Sequence, residues 1–167
     1  MTGSTIDYAN RQLDMELLQH VADPVDQRVY PSVDHRKDGS GPSVVTGMQK
    51  VVQRYANLLL TDLGSVKFDS SVGGEFLSDI REGRIQSNSY LEFSFALASD
   101  NAVRKMVSDD EMTDVYGDIP DDERILGANL VDYELRPEKG SIYVHVAIET
   151  VAGESYEYVI PVRMGVS

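Results

Sequence analysis

Ile142-Tyr143-Val144-His145-Val146-Ala147-Ile148 is the stretch whose pattern decides the fold. Ile142, Val144, Val146 and Ile148 alternate with Tyr143, His145 and Ala147, the period of two expected of a strand with one buried face. Downstream, Tyr156, Tyr158, Ile160 and Val162 alternate in the same way with Glu157, Val159 and Pro161. Upstream, Ile125, Leu126, Ala128, Leu130 and Val131 lead into Tyr133-Glu134-Leu135-Arg136. Pro137-Glu138-Lys139-Gly140 and Ala152-Gly153-Glu154 separate the three runs and carry turn chemistry. The expectation is a three-stranded antiparallel meander. Pro161 has no N–H to give a ladder, which places it on an edge strand or at a strand end.

Toward the N-terminus the period changes. Val44, Val45, Met48, Val51, Val52, Tyr55, Leu58 and Leu59 recur at helical spacing, with Gln49, Lys50, Gln53 and Arg54 between them on the expected wet side. Pro42-Ser43 offers a start for this helix and Gly64 a stop. Ser65-Val66-Lys67-Phe68 reads as short and extended, and Ser70, Ser71, Gly73 and Gly74 as a turn. A second helix is expected over residues 75–82, with Phe76, Leu77 and Ile80 inward. A third is expected over 89–107, its apolar side formed by Leu91, Phe95, Leu97, Val103, Met106 and Val107, with a bend or new cap at Asp100-Asn101. Helices first and strands after predict an α+β fold, with two to three helices on one face of the meander. Residues 1–42, interrupted by Pro24, Pro31 and Pro42, read as an extended N-terminal arm before a domain over 43–167. Leu13, Leu17, Leu18 and Val21 are spaced for one short amphipathic helix within the arm, and Ile6, Val29, Tyr30 and Val33 could pin it to a neighbour. No internal repeat is visible.

Composition narrows the function classes. The chain has 167 residues with 15 Lys+Arg against 28 Asp+Glu, a net charge of −13. That sign argues against nucleic acid or an anionic membrane surface as a partner. With no Cys there is no disulfide, thiol catalysis or thiolate metal site. No run approaches the ~18 apolar residues of a membrane span, and the start lacks the layout of a secretory signal. Residues 109–123 hold eight carboxylates and no base, together with Gly117 and Pro120, and read as a solvated loop between helices and strands.

Chemistry-bearing patterns are few. Paired carboxylates for glycoside cleavage need unequal environments, and a hydrated loop would desolvate neither acid. Calcium-loop spacing fails at Asp114, Tyr116, Asp118 and again at Asp34, Arg36, Asp38-Gly39. His20, His35 and His145 share no metal spacing, and Asp38-Gly39-Ser40-Gly41-Pro42 is no nucleophile elbow. Phosphate-loop glycine patterns are missing too. The expectation is a protein without enzymatic activity, metal or cofactor. The arm and the edge of the sheet are instead features of an assembly component, since an exposed edge can accept a strand from another chain.

Four motifs carry a family resemblance. They are Leu59-Leu60-Thr61-Asp62-Leu63-Gly64, then Val72-Gly73-Gly74-Glu75-Phe76-Leu77, then Asp122-Glu123-Arg124-Ile125, and the run from Gly140 to Val162 ending in Ile160-Pro161-Val162. Their order resembles the baseplate wedge, or sheath-initiator, family of phage tails, also found in type VI secretion and other contractile injection systems. The family has Phe where this chain has Val72, and Pro within a Glu-Pro-Arg signature where this chain has Glu123. The resemblance implies a structural virion protein of the tail baseplate, assembled in the host cytoplasm and present in multiple copies in a symmetric assembly. It implies partners among other baseplate wedge proteins and tail sheath subunits, with the tail tube as a further candidate, and no nucleic acid or membrane. Asp122, Glu123 and Arg124 would contact the wedge. The two strands holding Ile142, Val144, Val146, Ile148, Tyr156, Tyr158 and Ile160 would exchange strands with the sheath. An acidic adaptor or chaperone-like module is the alternative, and a cell-wall hydrolase stands third.

Overall fold

A computed structural model of the chain describes residues 14–15, 19–22, 29–32, 44–114, 119–136 and 140–164. In chain order the elements are β1 (Asp14–Met15), β2 (Gln19–Ala22), β3 (Val29–Ser32), β4 (Val44–Val45), α1 (Met48–Leu59), α2 (Phe76–Arg81), α3 (Asn88–Asp114), a 3-10 turn (Asp121–Glu123), β5 (Ile125–Arg136), β6 (Ser141–Thr150) and β7 (Ser155–Arg163). Helices followed by a three-stranded antiparallel sheet in the order β5-β6-β7 make an α+β fold. β1 pairs antiparallel with β4, and β2 with β3. β3 lies beside β7 without joining its ladder.

The core forms where the two periods meet. Ile142, Val144, Val146 and Ile148 of β6, with Tyr158, Ile160 and Val162 of β7, bury one sheet face against Val51, Val52, Tyr55 and Leu59 of α1 and Phe76 and Ile80 of α2. Phe76 meets Phe95 of α3 edge to face at 5.6 Å, a favoured aromatic geometry. Pro161 sits on β7, an outer strand, where a missing donor is tolerated. β5 changes register between Ile125 and Gly127 and between Leu130 and Asp132, and the extra residues Leu126 and Val131 are exposed.

Several expectations change. α1 begins at Met48, after Gly47 at φ +61, so Val44 and Val45 are strand rather than helix. In the arm, Asp14–Met15 and Gln19–Ala22 are strands, so the helix expected from Leu13, Leu17, Leu18 and Val21 does not form there; Leu13, Leu17 and Leu18 lie outside the described residues. Residues 65–68 make turns, closed by the Ser65 N–H to the Asp62 carbonyl and the Asp69 N–H to the Val66 carbonyl. α3 runs unbroken through Asp100-Asn101, with Leu91, Phe95, Ala98, Ala102 and Met106 inward and Leu97 and Val107 outward.

The acidic segment changes most. Its first six residues continue α3 to Asp114 and its last three form the 3-10 turn. Asp110 and Glu123 are buried, at 3% and 1% exposure. They face the side of α1 expected to be wet: Arg54 pairs with Asp110 at 2.8 Å and Lys50 with Glu123 at 2.9 Å. Both corrections share one cause, because polar residues of α1 and of the acidic segment neutralise each other out of water.

Candidate functional site

The four motifs fall into two structural locks. The first joins the Leu-Leu-Thr turn to the Gly-Gly turn. The Gly74 N–H donates to the Thr61 carbonyl at 2.9 Å and the Leu63 N–H to the Gly74 carbonyl at 3.1 Å. Gly73 has φ +98, and a Cβ there would lie 2.4 Å from the Thr61 carbonyl oxygen, so only glycine lets the two turns meet.

The second lock is the turn before β5. The Glu123 carboxylate accepts the Gly47 N–H at 3.0 Å and the Lys50 ammonium at 2.9 Å. Gly47 is the N-cap of α1 and has no side chain of its own to cap with, so a residue from the far end of the helical region serves. The turn is also tied to the β6–β7 hairpin, through the Val151 N–H to the Arg124 carbonyl at 3.0 Å and the Ala152 N–H to the Asp121 carbonyl at 3.2 Å. Of the three turn residues expected to meet a partner, Glu123 is thus engaged inside the chain. Asp122 and Arg124 are half-buried.

The remaining residues expected to bind a partner separate by strand. Ile142, Val144, Val146, Ile148, Tyr158 and Ile160 are core, while Tyr156 is exposed. β6 is the middle strand, hydrogen-bonded to β5 on one side and to β7 on the other, so it has no edge to give. The outer strands of this sheet are β5 and β7.

On the β5 side the sheet adjoins a groove that the sequence reading missed. It has a volume of about 1010 Å³ and runs between α3 and β5 residues 127–133. Phe95, Ser99 and Val103 come from one α3 face at steps of four; Ala128, Leu130 and Val131 come from β5. The Ser99 hydroxyl links the Tyr55 hydroxyl, 2.8 Å away, to the Ala128 carbonyl at a marginal 3.5 Å. Burial pushes the Tyr55 hydroxyl well above the ordinary tyrosine range. At the rim, the Tyr133 hydroxyl is raised first by desolvation, then by the carboxylates of Glu92 and Asp132. The groove lining is mixed, with Phe95, Val103, Leu130 and Val131 beside the carboxylates Glu92, Asp100 and Asp132. One signal for it was available: the first strand of any meander is an edge strand.

Among the described residues, no group of three or more His, Asp or Glu is placed to hold a metal ion, and no helix is long and apolar enough to cross a membrane. No family model, curated protein or solved structure matches the chain.

Proposed function

We propose that the chain is a structural component of a phage-tail baseplate wedge. In this reading it joins wedge proteins around the tail tube, offers the first sheath ring a strand to pair with, and is not an enzyme. The observation that supports it most directly is the β5 edge beside the α3 groove. Residues 127–133 lie on an outer strand of a three-stranded sheet and line a cleft of about 1010 Å³ beside it. Main-chain bonds would supply strength and the groove register. Asp122 and Arg124, at the entry to β5, would make the charged contact with the wedge. The acidic adaptor gains less support, because Asp110 and Glu123 are spent on Arg54 and Lys50 within the fold.

The test uses assembly of tail particles with the chain supplied as wild type or as Val131→Lys. A lysine on a sheet edge opposes strand addition without touching the core. The variant should unfold at the wild-type temperature yet enter particles at least about tenfold less well. Equal incorporation would sink strand addition at β5. Turnover of peptidoglycan by the pure protein, lost on substitution of one carboxylate, would overturn the structural reading altogether.

A further inference from the structure

The flank of α3 away from β5 carries a second surface. Tyr90, Phe93 and Leu97 follow at steps of three and four, so they form one stripe. Phe93 is 65% exposed and Leu97 52%, and Leu63, also 52% exposed, stands across from them on the 62–74 loop. These side chains line a groove of about 280 Å³. The loop approaches α3 unusually closely, since a Cβ on Gly74 would lie 2.8 Å from the Ala98 Cβ.

A hydrogen-bond network underlies the groove. Its floor holds the buried Asp79, which accepts the Ser94 hydroxyl at 2.7 Å, an Arg84 guanidinium N–H at 3.1 Å and the Tyr90 hydroxyl at 3.4 Å. That network ties the Tyr90 side of the groove to α2 through Asp79. The lining carries two carboxylates, Glu75 and Asp79, and no cation. Arg84 answers Asp79. Glu75 is exposed at the rim, and its charge reaches Tyr90.

We propose that this groove docks an amphipathic helix of a partner protein, with apolar residues seated between Phe93, Leu97 and Leu63 and a lysine or arginine paired with Glu75. The i, i+4 pair Phe93–Leu97 forms the ridge that helix-to-helix packing uses. Basic flanks follow from the lining and from the chain's net charge of −13. A second copy fits poorly, because it would bring the same charge and a second Glu75 to the same place. This surface is separate from the β5 edge and does not depend on strand addition.

The test needs only the purified full chain, so its failure is distinguishable from failure of the assembly reading. A displayed library of two- to three-turn helical peptides is selected on the wild type and counter-selected on Phe93→Asp/Leu97→Asp. Both substitutions lie at exposed positions, and their fold is checked by circular dichroism. Enriched peptides should carry apolar residues at steps of three and four beside Lys or Arg. The best peptide should lose about tenfold in affinity on Phe93→Asp. It should lose about threefold or more on Glu75→Gln, a difference that closes at high salt. Three results overturn the proposal: enrichment without basic residues, no peptide surviving counter-selection, or unchanged affinity on Glu75→Gln. Concentration-dependent self-association abolished by Phe93→Asp would also overturn it, by assigning the groove to a second copy.

Discussion

Glu123 holds Lys50 and the Gly47 N–H in a site from which water is excluded, whereas Asp100 holds Arg104 one helical turn away on the wet flank of α3. Both are acids paired with a cation. Their surroundings decide what the pairing is worth. A buried pair must offset the desolvation of two ions, so losing one partner strands the other in the interior. An exposed pair gives up little that water and salt do not replace. A sum of charges over the chain treats the two alike, and only location separates an architectural acid from a solubilising one.

Breaking the buried side of this contrast should have the largest effect. Glu123→Ala removes the carboxylate that Lys50 and the Gly47 N–H share and should cost about 3–5 kcal/mol by denaturant unfolding. The pair Glu123→Leu with Lys50→Met should recover most of that loss. A single variant within about 1 kcal/mol of wild type would mean water reaches the turn. Next comes Gly73→Ala, where positive φ and the Thr61 carbonyl both oppose a methyl group; about 1–3 kcal/mol is expected. A smaller loss would show that the two turns can separate freely.

Alkaline titration probes burial without any ion pair. Desolvation first, then Tyr156, pushes the Tyr158 hydroxyl up to about 12 from an ordinary 10.0. The folded state then keeps a proton that the unfolded state releases, so this contribution is complete below pH 10 and is lost as pH climbs toward 12. Stability should fall across that window, with Tyr55 adding to the slope. Tyr158→Phe should flatten the fall, and an unchanged slope would place the proton release elsewhere. Smallest of all is Asp100→Asn. Arg104 holds the Asp100 carboxyl below its usual range, a contribution present at neutral pH and lost as pH falls through the lowered value. Because the pair is exposed, the variant should unfold with wild type at pH 7; a clear loss would erase the contrast with Glu123.

The meander was legible because alternation is a local property: Ile142 to Ile148 announces its buried face without reference to any other residue. The inward side of α3 was only half legible. Leu97 and Phe95 are equally apolar, and only packing against α1, α2 and β5 decides that one is buried and the other exposed. The acidic segment misled for a different reason. Carboxylates in a row favour water unless a cation waits in the fold, and Lys50 lies 73 residues from Glu123. The available hint was that Lys50 and Arg54 stand four apart on one helix face, a basic stripe with an acid-rich segment to meet. For the candidate site, alternation in β6 and β7 marks the buried face and says nothing of which strand is central, β6, and which is outer, β7. Edge position depends on strand order, which no single strand encodes.

The Gly47–Glu123 bond also sets an order of events during synthesis. α1 has no side-chain cap of its own, and the carboxylate that takes the Gly47 N–H lies 76 residues later. While the chain is being made, the Gly47 N–H therefore has no Glu123 carboxylate to meet until the turn before β5 has left the ribosome. Fragments ending before that turn should show a weakened first turn of α1, and the helical half should lock only as the sheet begins to form.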